Sequence, residues 1–234
     1  MQRIGQMQVI ENSSEGTSKG QDEVVVILFH GYGADAYDLK SLSEVLETAA
    51  PTRWIFPQGV IEVPIGPGWT GRAWWPIDIA ALQQAQASGT PRDLSKETHP
   101  GVPELRQKVM KMIADIKTPW NKIIVGGFSQ GAMLATDIYL HAPEAPLGLV
   151  ILSGNLVNKA NLKELVGARA GKRFFMSHGE QDAVLSIRGA QQLESFLTSG
   201  GMKGRLFQFR GGHEIPMPVI VEANKYLKEI TSEK

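Results

Sequence analysis

Continuous runs of apolar residues, many of them β-branched, recur along the chain and predict buried β-strands. These runs lack the alternation of polar and apolar positions, which is typical of strands covered on both faces in a parallel sheet. A shorter run near the start, residues 7–12, is a candidate for an additional edge strand. The predicted core strands cover residues 23–29, 53–57, 121–127, 147–154, 172–179 and 204–212.

Segments with the apolar spacing of helices separate these strands. Strand alternating with helix predicts βαβ units, and therefore an α/β fold with a mostly parallel central sheet flanked by helices on both faces. We expect one domain of this kind over residues 1–234. The predicted helices cover residues 35–49, 103–117, 130–141, 161–166, 187–199 and 218–230.

Residues 58–101, called the inserted segment below, interrupt the alternation because they are rich in Pro and Gly and predict irregular structure. A long insertion in a compact domain is usually functional or disordered. The segment contains Trp69, Trp74 and Trp75. We expect residues 68–77 to form a wall of the substrate site, with Trp74 or Trp75 lining an acyl pocket. The alternative is that these rings only anchor the loop.

Composition and charge exclude several classes of function. The 24 basic and 24 acidic residues balance, which argues against nucleic acid as a partner because phosphate binding needs clustered Lys and Arg. With no cysteine, the chain has no disulfide, thiolate metal site, Cys nucleophile, or prenyl or palmitoyl anchor. We also expect no signal peptide and no transmembrane helix, and therefore a cytoplasmic protein without stable membrane insertion.

The stretch "GGFSQGAM" follows a predicted strand and opens a predicted helix, and its central residues match G-x-S-x-G at Ser129. In α/β hydrolases this motif is the nucleophile elbow, where small residues allow a turn so sharp that the Ser hydroxyl is exposed. A Gly-rich turn without chemistry is the other interpretation of the motif. The strand before it and the helix after it favour the nucleophile.

A serine hydroxyl needs a neighbouring base, which a carboxylate orients, and in this fold the chain order is Ser, then Asp or Glu, then His. Asp182 and His213 satisfy this order, and each comes just after a predicted strand. Asp137 is the other aspartate after Ser129, but it lies two turns into a helix and is expected to point away from the site. We therefore predict a catalytic triad of Ser129, Asp182 and His213.

Acyl transfer also needs two N–H donors for the tetrahedral oxyanion. The backbone N–H of Gln130, directly after the nucleophile, is one candidate, and that of Tyr32, between two glycines in "FHGYG", is the other. We expect His30 to support this turn and His178 to hydrogen-bond locally beside the acid. The dinucleotide, P-loop and H-E-x-x-H motifs are each incomplete, and no metal site is predicted.

With these motifs in place, the chain resembles the phospholipase/carboxylesterase family of α/β hydrolases, which is related to the acyl-protein thioesterases. The resemblance runs from about Val24 to Leu227 and includes "LFHGYGAD", "GRAWWPID", "GGFSQGAM", "LSG", "SHGEQDAVL" and "GGHEIP". It implies hydrolysis of small-molecule or lipid carboxylic esters through an acyl-serine, with no cofactor. Acyl-protein thioesterase and lysophospholipase are alternatives, as is a catalytically silent ligand-binding homologue. The resemblance does not give an oligomeric state.

Two positions depart from the family pattern. Relatives often carry an aliphatic residue at the position of Tyr32 and an aromatic or bulky apolar residue near Asn155. The resemblance therefore implies that Asn155 belongs to the substrate-binding region, and that Tyr and Asn make this site narrower or more polar.

Overall fold

The computed structural model describes residues 1–13, 23–88 and 92–232. Among these residues the strands are β1 (Gln2–Ile4), β2 (Met7–Ser13), β3 (Val24–Phe29), β4 (Thr52–Pro57), β5 (Ile61–Gly66), β6 (Trp69–Ala73), β7 (Ile123–Phe128), β8 (Gly148–Leu152), β9 (Phe174–Gly179) and β10 (Leu206–Phe209). The α-helices are α1 (Leu42–Val45), α2 (Ile79–Ser88), α3 (Val102–Ile116), α4 (Gln130–His141), α5 (Lys159–Val166), α6 (Ile187–Ser199) and α7 (Met217–Ser232).

The main sheet of the described chain has eight strands in the order β1-β2-β4-β3-β7-β8-β9-β10. From β4 to β10 neighbouring strands run parallel, whereas β2 pairs antiparallel with both β1 and β4. The predicted α/β fold with a mostly parallel central sheet is therefore confirmed. The candidate edge strand at residues 7–12 exists as β2, and β1 lies outside it.

Alternate residues of each core strand belong to two different cores. In β3, Val25 and Ile27 pack into the core that α3, α4, α5 and α6 cover, whereas Val26 and Leu28 face the core covered by α1 and α7. Both faces of the sheet are thus dry, which explains why the core strands have no polar alternation.

The stretch at residues 35–49, which the sequence predicted to be a helix, has a different structure. Residues 35–49 are mostly turns with i→i+3 hydrogen bonds, such as Asp38 N to Asp35 O at 3.2 Å, and only Leu42–Val45 is α-helical. The leucines of this stretch still pack into the core, and their spacing is what made the sequence look helical.

The inserted segment is more regular than expected. It contains the β5–β6 hairpin, a two-stranded antiparallel sheet, and then α2. Gly66, Pro67 and Gly68 form the hairpin tip, where Gly68 has a positive φ of 76°. No helix among the described residues combines the length and apolarity that a membrane span requires. That residues 1–234 form a single domain stays a prediction.

Candidate active site

Ser129 occupies a strained turn between β7 and α4. Its φ is 56° and its ψ is −121°, a conformation that costs a non-Gly residue on the order of 1–3 kcal/mol. The flanking glycines make the turn possible. A Cβ on Gly131 would lie 2.0 Å from the Phe29 carbonyl oxygen, and one on Gly127 would lie 2.5 Å from the Gly131 carbonyl carbon. The backbone N–H of Ser129 donates to Leu152 at 2.9 Å, which ties the turn to the end of β8.

Asp182 and His213 meet at the carboxyl ends of the neighbouring strands β9 and β10. The Asp182 Oδ2 atom lies 2.6 Å from His213 Nδ1. The other carboxylate oxygen accepts the backbone N–H groups of Val184 and Leu185, both at 2.8 Å, and is thereby fixed in orientation. The His213 side chain keeps 16% of its surface exposed, whereas that of Asp182 is fully buried behind it.

A second imidazole contacts the same carboxylate. His178 Nε2 lies 3.2 Å from Asp182 Oδ2 and 2.8 Å from the Leu185 carbonyl oxygen. Both neighbours are acceptors, so Nε2 carries the proton and donates. Burial by itself raises the pKa of Asp182, but hydrogen bonds from His178 and His213 outweigh it and hold this pKa well below its usual range. The carboxyl group is therefore ionised.

A cavity of about 530 Å³ joins these elements. Ser129 and His213 both line it, together with Tyr32, Gln130 and Trp75. The Phe128 ring packs against the His213 imidazole with centroids 4.7 Å apart, which supports that ring from the elbow side. Apolar side chains from several elements complete much of the lining, among them Ile77, Val102, Met133, Val157, Val184 and Leu185.

The loop after β3 carries Tyr32 to this cavity, and His30 supports the loop as expected. His30 Nε2 accepts the Gly59 N–H at 2.9 Å, so the proton is on Nδ1, which donates to the Gly31 carbonyl at 2.7 Å. Burial lowers the pKa of His30. It outweighs the hydrogen bond to Gly31 and the charge of Asp35, which both act to raise this pKa. Within the described chain, neither the Tyr32 nor the Gln130 backbone N–H donates to another backbone carbonyl.

The hairpin of the inserted segment packs directly onto this loop. Gly33 N donates to the Arg72 carbonyl and Arg72 N donates to the Ala34 carbonyl, each at 2.8 Å. A Cβ on Gly71 would lie 1.9 Å from the Gly33 carbonyl oxygen, so the two backbones can approach this closely only because residue 71 is glycine.

The three tryptophans of the inserted segment have different environments. Trp75 lines the cavity. Trp74 is only 2% exposed and lies in the core, where its indole N–H donates to the His30 carbonyl at 2.8 Å and its ring meets Phe29 edge-on. Trp69, at the hairpin tip, is 73% exposed.

Asn155 does not lie with the residues that line the cavity. It is buried against α6, where a Cβ on Gly189 would come within 2.3 Å of its Nδ2 atom. Its Oδ1 atom is buried without a hydrogen-bond partner among the described residues. The structure thus places Trp75 at the cavity, whereas Trp74 and Asn155 lie behind its wall.

Asp137 lies closer to the site than its position in the helix suggested. It lines the same cavity, contrary to the expectation that it points away. Its carboxylate forms a two-pronged ion pair with Arg106, with Nε at 2.6 Å from Oδ2 and Nη2 at 2.9 Å from Oδ1. Both oxygens therefore bind the Arg106 guanidinium, whereas Asp182 binds His213.

Sequence reasoning missed the side chain of Gln130. Its Oε1 accepts the Trp74 N–H at 3.0 Å, and its Nε2 donates to the Trp75 carbonyl at 2.8 Å. No local pattern signals these bonds because the partners are about 55 positions away in the chain. Among residues 1–13, 23–88 and 92–232, no group of three or more His, Asp or Glu side chains is arranged to hold a metal ion.

Known proteins are similar to this chain over most of its length. The phospholipase/carboxylesterase family matches residues 11–231. Acyl-protein thioesterase 1 of Eremothecium gossypii is 28% identical over 211 residues, which cover 86% of each chain. The corresponding protein of Candida albicans is 24% identical over 219 residues, covering 89% of this chain and 92% of the relative.

Solved structures share the fold. Esterase PE8 superposes with a TM-score of 0.78 at 25% identity and covers 96% of this chain and 99% of its own. The Bacillus cereus carboxylesterase has a TM-score of 0.69 at 19% identity, covering 96% and 95%, which is a likeness of fold alone.

Proposed function

Since this chain belongs to the phospholipase/carboxylesterase family and is a serine hydrolase, we propose that it cleaves carboxylic esters through an acyl intermediate on Ser129. The observation that carries the proposal is the 2.6 Å contact between Asp182 and His213, at a cavity that Ser129 and His213 line together. The positive φ of Ser129 adds support, since a strained serine at this kind of turn is typical of a nucleophile.

His213 is the general base of the proposed reaction. Because its Nδ1–H donates to the ionised Asp182, Nε2 has a free lone pair that can take the proton from the Ser129 hydroxyl. The serine oxygen attacks the ester carbonyl carbon, and a tetrahedral oxyanion forms. Its collapse expels the alcohol, which receives the proton from His213. A water molecule then gives a proton to the same imidazole and attacks the acyl-serine. Collapse of this second tetrahedral intermediate releases the acid, and the Ser129 oxygen takes the proton back from His213.

The oxyanion is stabilised by the backbone N–H groups of Tyr32 and Gln130 in this proposal. Both residues line the cavity, and neither N–H is taken up by a backbone carbonyl of the described chain. Donors fixed before the reaction are effective because they need no reorganisation when the charge develops, and the loss of one typically costs about 3–4 kcal/mol in the barrier. Asp182 holds the His213 tautomer and stabilises the imidazolium.

The relatives favour a second candidate, the hydrolysis of thioesters on acylated proteins. Acyl-protein thioesterase 1 of Eremothecium gossypii matches over 86% of this chain. The triad chemistry is the same for both bonds, so the leaving group decides between them. Comparing kcat/KM for an oxygen ester and a thioester of the same acyl group ranks the two candidates. A higher value for the oxygen ester supports the carboxylesterase.

A fluorophosphonate probe tests the proposed nucleophile, because it labels only an activated serine. We expect the wild-type protein to be labelled at Ser129, and Ser129→Ala to lose labelling and about 10⁶-fold in kcat. Ser153→Ala is the matched control. Ser153 also directly follows a core strand and has a positive φ of 50°, but its side chain is fully buried. Hydrolysis by Ser129→Ala within tenfold of wild type would refute the assignment, and an unlabelled wild-type protein would favour the silent binding homologue.

A further inference from the structure

The buried side chain of Gln130 forms a bridge between the nucleophile elbow and the inserted segment. Its amide oxygen accepts the Trp74 N–H at 3.0 Å, and its amide nitrogen donates to the Trp75 carbonyl at 2.8 Å. A primary amide can satisfy a backbone donor and a backbone acceptor at once, which a carboxylate or a thioether cannot do. Gln130 is 3% exposed, so water does not compete for these bonds.

From Trp74 the contacts continue to the loop that carries Tyr32. The Trp74 indole N–H donates to the His30 carbonyl at 2.8 Å. Two residues before Trp74, Arg72 exchanges two backbone hydrogen bonds with Gly33 and Ala34, each at 2.8 Å. The loop at residues 30–34 is therefore hydrogen-bonded on both sides of Tyr32 to residues 72–74, and Gln130 binds the last of these residues.

These contacts close a ring through the proposed oxyanion site. It runs from the Gln130 backbone through its own side chain to Trp74, then to His30 and Gly33, and so to Tyr32. The two proposed oxyanion donors, Gln130 N–H and Tyr32 N–H, come from elements about 100 positions apart in sequence. Their spacing relative to each other must be fixed by tertiary contacts.

We propose that the Gln130 side chain is a positioning residue, which sets the distance between the two oxyanion donors by holding the Trp74–Trp75 backbone. This inference rests on the proposed function, since it assumes that an oxyanion forms at this place. One residue then has two separate roles: its backbone N–H contacts the oxyanion, and its side chain positions the opposite donor. Small misplacements of preorganised groups lower rates strongly, because catalysis depends on their geometry.

The labelling rate with a fluorophosphonate measures this role, because the phosphoryl oxygen of the probe occupies the oxyanion site as Ser129 is modified. Gln130→Met keeps the length of the side chain and the backbone N–H, but it removes both hydrogen bonds of the side-chain amide. We expect its second-order labelling constant to fall at least about tenfold, and kcat for p-nitrophenyl acetate to fall with it while KM stays within about twofold. A purely stabilising role would lower the melting temperature without changing kcat of the folded enzyme.

Thr136→Val is the matched control on the same helix. Its hydroxyl is buried and donates to the Ala132 carbonyl at 2.9 Å, away from the residues that line the cavity. The hydrogen bond that this variant loses lies within α4 and does not involve the inserted segment. We expect its labelling constant to match that of the wild type.

Trp74→Phe tests the next contact in this closed series, the bond from Trp74 to His30. It decides the question if Gln130→Met does not fold. It keeps an aromatic ring in the core but removes the indole N–H that holds the His30 carbonyl, together with part of the buried ring volume. We expect a several-fold slower labelling rate. When Gln130→Met and Trp74→Phe are combined, the fold-decrease in the labelling constant should be smaller than the product of the two single decreases, since both substitutions disturb the same geometry.

Two results would overturn the inference while leaving the proposed function intact. The first is a folded Gln130→Met, or Trp74→Phe when the former does not fold, that labels within twofold of wild type. The second is a double variant in which the two losses multiply. A wild-type protein that the probe does not label at all would instead refute the proposed function.

Discussion

The carboxyl edge of the main sheet and the inserted segment both form the cavity, but they hold their side chains by different means. At the sheet edge, Ser129 directly follows β7 and Asp182 lies in the turn after β9, and close backbone contacts at glycines fix the turns. In the inserted segment, the backbone of Trp74 and Trp75 is held by the side chain of Gln130. The edge is thus determined by strand topology, whereas the inserted segment is held by the Gln130 side chain and by backbone hydrogen bonds to the loop after β3.

The difference explains why adjacent residues of the inserted segment can have different environments. A strand end presents its next residue to the same edge whatever the neighbouring loops do. The inserted hairpin has no such constraint, and Trp74 enters the core while the next residue, Trp75, lines the cavity. Substitutions in the two regions should therefore differ in kind.

The largest effect is expected at the sheet edge. Asp182→Asn should lower kcat about 10⁴-fold with the fold intact, because an amide no longer fixes the productive His213 tautomer. Asp137→Asn is the matched control, since Asp137 also lines the cavity but pairs with Arg106. We expect it to keep kcat and to lose about 1–3 kcal/mol of stability as a charge-assisted bond weakens.

Steady-state kinetics and chemical denaturation of the two variants measure both quantities. If Asp137→Asn proved inactive and Asp182→Asn active, the carboxylate of the triad would have to be reassigned.

A smaller effect, and one of different kind, is expected for the adjacent tryptophans. Trp74→Ala should cost about 3–5 kcal/mol of stability, because a large buried side chain is removed from the core. Trp75→Ala should keep its stability but change the ratio of kcat/KM between short and long acyl esters by about 1–3 kcal/mol.

Thermal denaturation, together with rates on p-nitrophenyl esters of increasing chain length, separates these outcomes. The comparison fails if Trp75→Ala retains the wild-type chain-length profile, or if Trp74→Ala is as stable as the wild type.

The smallest effect concerns pH and the loop that connects the two regions. Burial lowers the pKa of His30, so the unfolded chain binds a proton more readily than the folded one. The contribution of His30 to stability is therefore complete above its ordinary pKa of about 6.5 and is lost as the pH falls below that value, by at most about 1.4 kcal/mol per pH unit. Protonation of Nε2 would also break its bond from Gly59.

Urea denaturation at pH 7.5 and pH 5.5 tests this for the wild type and for His30→Gln. We expect the stability of the wild type to fall more between the two pH values. An equal fall in both proteins would mean that His30 does not take up the proton on unfolding.

Much of the fold followed from the sequence because strand and helix patterns are local. Each apolar run predicted as a core strand overlaps an observed strand, and the parallel direction of the strands from β4 to β10 agrees with the βαβ alternation. The errors fell where local signals conflict. Leucine spacing between residues 35 and 49 suggested a helix, yet the backbone forms i→i+3 turns there. Pro and Gly suggested irregular structure, yet Gly66, Pro67 and Gly68 form the tip of the regular β5–β6 hairpin.

By itself, the sequence determined which residues the sheet delivers to one edge. Chain order and strand ends were enough to group Ser129 with Asp182 and His213, because parallel strands end at a common edge whatever the loops between them do. That these three residues act as a triad stays a prediction. The tertiary structure alone decided that Trp74 is buried while Trp75 lines the cavity, and that Gln130 bonds both backbones. Those outcomes depend on hydrogen bonds between segments far apart in the chain, and no local pattern encodes the partner of such a bond.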